Sequence, residues 1–488
     1  MDAALLAKIG LSRLRFPIPL AKLNLIHGVA DALQNDNCQQ EMWNALIQWI
    51  SNLELESEVA EVLCIAVLAK NSWIVSATKL QMSINRPSPL SDLLLHEISG
   101  HPLLINSWFK AHSGEAPPLF NGREDLEELT AGRIVPPILS SRMTQLEKQS
   151  GKHFLRQWAY EFGRLRDKIG WQSDGSWEYF IDEDRDRATG QFITRRGHVA
   201  RSAYLRTLSL AVDQWDMPED IAFWEARYAT PADLSFLKIL PGMKPSWVEV
   251  LYGEAPSTFE EWQKALASVV NIAAEDTPNH VLLHLNTPIF FRKNYKAEVE
   301  LITCLQDDKY LSPEEMMKLH RFLPGQFFLP RTSDWDFLIH NKTGVEGVLT
   351  MEGGVSILPA LLPCAAQFVG YLQFDLVGRM PYLPANYTSS VPLIGTPRKG
   401  GMDLKLGNDQ VGEFLYWNHQ WSPTHDKALD ASCGISLVLS ADTCKELWSV
   451  SEMNLRYFWK ATILKRESDY GKWDEETIYG VLPCLQIA

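Results

Sequence analysis

The stretch from His280 to Met380 constrains the fold of this chain more than any other, because spacing, turn chemistry and hydrophobic period agree there on one unit. His280–Lys293 (HVLLHLNTPIFFRK) alternates and then runs apolar, the pattern of a largely buried strand. In Leu311–Leu323, Ser312 stands where a helix cap belongs, Pro313 in the first turn and Glu314 and Glu315 near the positive end. Trp335–His340 and Val345–Met351 are short strand patterns joined by Asn341-Lys-Thr-Gly344, a hairpin signal. Ile357–Gly370 has helical spacing, and Leu372–Met380 closes the unit as a strand. The order β-α-β-β-α-β is the ferredoxin-like split.

Upstream, LAKLNLIHGVADALQN, CQQEMWNALIQWISN and ELESEVAEVLCIAVLAK within Leu20–Lys70 carry apolar residues at helical spacing, as a small bundle or a short α-solenoid does. Leu90–Ile98 is a further short helix, and His112–Gly122 has the Gly and Pro density of a linker. Glu124–Lys168 is mostly helical, with a break at Pro136-Pro137 and an amphipathic run from Thr144 to Ile169. Trp177–Ile181 has the pattern of a strand, and Arg195–Trp215 that of a helix. In Pro241–Ala274 a strand (SWVEVLY) precedes a helix (STFEEWQKALASVVNIAA). Beyond the Pro- and Gly-rich segment after Pro381, strands at Glu413–Trp421, Ser432–Ser440 and Arg456–Arg466 and a helix at Asp442–Asn454 make a small module. The expected fold class is α+β multidomain, in four parts. These are a helical bundle or solenoid over 1–115, a mostly helical middle over 116–235, a ferredoxin-like α+β domain over 236–400 and a small α+β module over 401–488.

A length of 488 residues suits several domains, each with a core of its own. The net charge of −14 argues against a surface that binds nucleic acid everywhere but leaves room for one local basic groove. Seven scattered cysteines without CxxC spacing fit a reducing cytoplasm and give no support for a zinc site, so neither metal nor cofactor is expected. The uncharged run Gly353–Phe374 is 22 residues long, but Pro359, Pro363, Gln367 and Gln373 interrupt it, and a buried helix is expected there rather than a membrane span. No secretory leader is expected, because Asp2 comes early and a basic opening is missing.

The densest charge signal is six arginines between Arg185 and Arg206 against one acid, Asp186. On a helical wheel Arg195 and Arg206 share a side with Ser202, while Arg201 falls among Leu205, Leu208 and Val212. An arginine on an apolar face needs a carboxylate or a bound phosphate, and both readings stand. The acidic run Asp182-Glu-Asp184 is close enough in sequence to supply the carboxylate. On the first strand of the 280–380 unit, His280 and His284 are expected on one face with Leu282 and Asn286. Gly395-Thr-Pro-Arg398-Lys399-Gly-Gly401 reads as a flexible basic loop that could seat a phosphate. Trp417, His419 and Trp421 alternate as a stacking platform does, or as a sandwiched core does. His96-Glu97-Ile-Ser-Gly-His101 has a five-residue step, wrong for two zinc ligands on one helix, and no GxSxG, GxGxxG or GxxxxGK[ST] motif occurs.

Two phrases, Leu283–Lys293 (LHLNTPIFFRK) and Gly344–Gly370 (GVEGVLTMEGGVSILPALLPCAAQFVG), resemble the C-terminal ferredoxin-like half of the RAMP proteins of CRISPR systems, above all the repeat-processing endoribonucleases. Thr287-Pro288 matches the family's opening strand, and Gly344 with Gly347 its later glycine strand. The resemblance implies an RNA-binding subunit of a prokaryotic antiviral-defence ribonucleoprotein, cytoplasmic, with RNA and other protein subunits as partners and no membrane contact. It places Arg292, Lys293, His280 and His284 on the RNA side, while the charge pattern outside that stretch offers Arg195, Arg196, Arg201, Arg206, Arg398 and Lys399 as phosphate contacts. Where the family carries a catalytic histidine this chain has Phe368-Val-Gly370-Tyr371, so binding is implied more strongly than metal-independent cleavage. A non-enzymatic scaffold and an enzyme of another class are the competing expectations.

Overall fold

The computed structural model describes residues 3–35, 37–101, 107–169, 192–232, 234, 236–252, 256–292, 294–306, 349–351, 355–357, 370–373, 393–418, 433–448, 454–468 and 471–483. The chain divides between Leu237 and Lys238 into two compact units, helical and then mainly β, with residues 367–374 belonging to the helical one.

The helical unit is built from α1 (Ala3–Ser12), α2 (Pro19–Ala32), α3 (Gln39–Ser51), α4 (Glu56–Leu68), α5 (Ala77–Ser83), α6 (Pro89–Ser99), α7 (Arg123–Thr130), α8 (Pro137–Ser150), α9 (Phe154–Ile169), α10 (Arg195–Gln214) and α11 (Glu219–Ala226). Local chemistry sets several of the ends. Ser88 caps α6 through a capping box with Ser91, and Gly100 (φ 71°) and Gly151 (φ 70°) terminate α6 and α8 in the left-handed conformation. The stretches 1–115 and 116–235 share one unit, because α4 and α10 are central to it. Glu56–Val67 and Gly197–Ala211 are buried on every side. Gly197 is required in the first turn of α10, where a Cβ would collide with the carbonyl oxygens of Phe192 and Ile134. Trp158 ties α9 to α10 by donating to the Ala200 carbonyl at 2.8 Å.

The β unit holds α12 (Phe259–Asp276), β1 (His280–Arg292), β2 (Tyr295–Gln306), β3 (Leu349–Met351), β4 (Val355–Ile357), β5 (Leu393–Arg398), β6 (Gly401–Leu406), β7 (Asp409–Asn418), β8 (Cys433–Ser440), α13 (Ala441–Trp448), β9 (Asn454–Lys465) and β10 (Asp474–Pro483). Eight strands run in the order β10-β9-β2-β1-β8-β7-β6-β5, every neighbour antiparallel, and the short β3–β4 hairpin joins β2 through Leu305 and Ser356. α12, capped by Thr258 and Glu261, lays Trp262, Leu266, Val269 and Ala273 on the sheet against Leu282, Leu285, Ile289 and Val299. Trp43, Trp108, Trp158, Trp262, Trp417 and Trp459 are essentially inaccessible, so core packing accounts for much of the tryptophan content.

Several expectations are corrected. β1 turns straight into β2, so the element after the first strand is an antiparallel strand; the YKAEVELITCLQ alternation that makes it was legible. Ile357 ends a strand, and Leu372 and Gln373 lie in a turn, while the rest of the helix expected at Ile357–Gly370, up to Gly370, and of the strand expected at Leu372–Met380 falls outside the described residues. The helix at Leu311–Leu323 and the strands at Trp335–His340 and Trp177–Ile181 fall outside the described residues. SWVEVLY forms 3-10 turns over Ser246–Tyr252, burying Trp247, Val248 and Leu251 against α12. The segment 395–401 is not a loop but the β5–β6 hairpin, turned at Lys399–Gly400. No described helix is long and apolar enough to cross a membrane.

Candidate functional site

The arginines of α10 meet the first turn of α4 residue by residue. Arg206 Nε donates to Glu56 Oε1 at 2.8 Å, Arg201 Nε to Ser57 Oγ at 3.0 Å, and Arg195 to Glu58 and to Glu54 Oε2, the latter at 3.3 Å. Their partners come from the ELESE stretch at Glu54–Glu58, not from Asp182–Asp184, which lies outside the described residues. Arg196 Nε lies 3.4 Å from Glu128 Oε1. Arg201 is wholly buried, and burial pushes its pKa down despite Tyr371 and Glu61 beside it.

Behind this row is a sealed polar relay. Lys22 donates to both oxygens of Glu61 at 2.9 and 2.8 Å, and Tyr371 donates to Glu61 Oε1 at 2.9 Å. His198 Nε2 lies 3.3 Å from the same oxygen and 3.2 Å from Lys22, and its Nδ1 lies 3.0 Å from Ser57 Oγ. Burial holds His198 down near 3 even though Glu61 opposes it, so the ring is neutral at pH 7. Burial works against the Glu61 carboxylate, yet Lys22 and His198 hold its pKa well below the usual range. Tyr371 arrives on a short return of the chain, Gly370–Gln373, fixed by Leu372 N to Pro231 O at 2.9 Å and Gln373 Nε2 to Phe236 O at 2.8 Å. Gly370 (φ 88°) is needed there, since a Cβ would run into the backbone of Ala232. The Arg201 guanidinium caps the Tyr371 ring at 3.5 Å. Ser57, His198 and Glu61 are ordered as a nucleophile, base and orienting acid would be. However, Ser57 is fully buried and its oxygen accepts from Arg201, so no substrate reaches it.

Next to Glu56 the same unit opens into a cleft of about 550 Å³. Arg86 reaches it from the turn before α6, Lys110 and His112 from the segment before α7, Arg164 and Lys168 from successive turns of α9, and Arg206 from α10. The wall at 110–116 is fixed from α9. Ser113 N and Oγ donate to Glu161 at 2.6 and 2.8 Å, and Gln157 accepts from Ala116 N at 2.8 Å and donates to Gly114 O at 2.9 Å. His112 is engaged by Asp213 at 3.1 Å and by Gly114 N at 3.0 Å. Glu56 and Asp167 are the acids of the lining; Arg206 answers the first, and Asp167 lies 3.6 Å from Arg166. Arg86, Lys110, Arg164 and Lys168 form no hydrogen bond or ion pair among the described residues. Four uncompensated cations around one concavity suit an anionic ligand.

The β-unit candidates are arranged differently from expectation. A bulge at Leu283, between the pairs Leu282↔Val438 and His284↔Leu437, puts Leu282 and Leu285 on the same core face and His284 on the other. His280 and His284 therefore do not share a face. His280 is half-buried and donates to Pro278 O at 3.2 Å. His284 is inaccessible, with burial holding it down near 3, and lies 4.0 Å from Glu300, whose buried carboxyl is pushed up to about 7 against the pull of Lys460. Arg398 is held by Asp403 and Glu413 at 2.5 and 2.6 Å, and Lys399 is exposed in its turn. Arg292 closes β1 opposite Tyr295, while Lys293, His419 and Trp421 lie outside the described residues. Trp417 is core, not platform.

Of the residues singled out from sequence, only Arg206 lines the cleft. Arg164 and Lys168 were legible as a basic pair four apart on an amphipathic helix, whereas nothing in the sequence joins them to Arg86 and Lys110. No group of three metal-ligating side chains occurs among the described residues. No protein-family model matches the chain, and the comparison with curated proteins found no match either.

Proposed function

We propose that this chain is an RNA-binding subunit of a ribonucleoprotein assembly and that its helical unit holds RNA phosphates in the cationic cleft. The observation that carries the reading is the set Arg86, Lys110, Arg164 and Lys168, which face one cavity without a carboxylate partner among the described residues, on a chain whose net charge is −14. The likeness of 280–380 to the ferredoxin-like half of RAMP proteins supports the same class and suggests a prokaryotic, cytoplasmic defence complex of the CRISPR type with further protein subunits. No catalytic step belongs to the proposal. Purification of the tagged chain from its host at moderate salt, with sequencing of retained nucleic acid, tests it: discrete short RNAs are expected, and their loss in Arg164→Glu/Lys168→Glu. A preparation free of nucleic acid overturns it.

A scaffold reading has its own observation. Leu5, Leu6 and Ile9 of α1, with Phe16 beyond it, are each 43–50% exposed, an apolar face that another subunit could cover. Stoichiometric protein partners lost on Leu6→Asp/Ile9→Asp, with no RNA retained, would favour that reading over the first.

A further inference from the structure

We propose that the cleft is a site for a nucleotide 5′-triphosphate, either the end of an RNA chain or a free nucleotide; the RNA-end form rests on the function proposed above. Two features narrow the ligand from phosphate in general to this group. The first is shape. A groove that tracks a nucleic-acid backbone spreads its cations along a path, whereas here Arg86, Lys110, Arg164 and Lys168 line a single cavity. Its volume, about 550 Å³, falls in the roughly 300–1,000 Å³ range of sites for one small ligand. A 5′-triphosphate concentrates roughly four negative charges at one place, about two of them on the terminal group, which matches four uncompensated cations better than successive single-charged linkages do.

The second feature is what the lining lacks. Among the described residues of the lining the His112 imidazole is the one aromatic ring, and Asp213 and Gly114 already engage both of that ring's nitrogens. Recognition of single-stranded bases relies on aromatic faces for stacking, so this cleft suits the phosphate end of a nucleotide and leaves its base largely outside.

The test is fluorescence anisotropy with one short single-stranded RNA, labelled at its 3′ end, carrying either a 5′-triphosphate or a 5′-hydroxyl, with calorimetric titration of ATP in parallel. The triphosphate end is expected to bind at least tenfold more tightly than the hydroxyl end. That advantage should vanish in Arg164→Glu/Lys168→Glu and shrink severalfold in Arg86→Ala. Thermal melts confirm that the variants fold. Equal affinity for the two ends overturns the triphosphate site while leaving RNA binding intact. Binding of ATP with no affinity for either RNA keeps the site, identifies a free nucleotide as its source, and overturns the RNA reading. Binding of none of the three overturns both.

Discussion

Along α10, Arg195, Arg201 and Arg206 each meet a partner on or beside the first turn of α4, whereas Arg86, Lys110, Arg164 and Lys168 at the neighbouring cleft meet none among the described residues. The two sets carry charge of the same sign in one helical unit, and the difference lies in what faces them. A guanidinium in an apolar core needs hydrogen-bond acceptors, and the Glu56–Glu58 turn supplies one to each of Arg195, Arg201 and Arg206. The cleft cations keep their hydration at the surface and need no internal partner, which leaves them available to a ligand. Density of arginine in a sequence therefore locates the interior pairing here, and cations without an acidic partner among the described residues locate the candidate site.

The comparison breaks most visibly if the interior set proves dispensable. Glu61→Ala strands Lys22 in the core and is expected to cost about 3–5 kcal/mol, read as a large fall in melting temperature. Lys22→Met/Glu61→Leu, which removes both charges, should recover much of that loss. Acid sharpens the same contrast. The folded pKa of His198, near 3, lies below its ordinary 6.5, so the folded state favours the neutral ring. The unfolded chain takes up the proton first as pH falls, so the stabilisation is complete above 6.5 and drains away between 6.5 and 3. Lowering the pH from 6.5 to 5 should cost about 2 kcal/mol through this group, and His198→Gln should flatten that part of the stability profile.

The cleft set predicts the reverse pattern. Arg164→Glu/Lys168→Glu should lower RNA affinity at least tenfold, about 1.4 kcal/mol, while the melting temperature barely moves, both residues being exposed. The smallest effect is expected from Arg195→Ala/Arg196→Ala. Arg195 is partly exposed in its pair, so the stability loss should stay near or below about 1 kcal/mol. RNA affinity should then change by less than about twofold, since both guanidinium groups face carboxylates.

Much of the helical unit was legible in the sequence, because its helices carry apolar residues at regular spacing. The need of Arg201 for a partner was legible too, but its partner was not. Ser57 lies more than a hundred residues away, and only the ELESE alternation at Glu54–Glu58, matched to three arginines on a later helix, hints at it. In the β unit, β2 alternates Lys296, Glu298 and Glu300 with Ala297, Val299 and Leu301 and could have been read directly. The bulge at Leu283 could not, and it separates two histidines that an even strand places together. The cleft was invisible for a simpler reason. Its cations come from four separate segments, and only packing brings them to one cavity.

The most direct measurement is a salt titration of RNA affinity for the unaltered chain, Arg164→Glu/Lys168→Glu and Arg195→Ala/Arg196→Ala side by side. The account predicts that the cleft variant binds weakly with a salt slope shallower by roughly two, while the α10 variant follows the unaltered chain. A slope and affinity unchanged in the cleft variant, with both lost in the α10 variant, would contradict it.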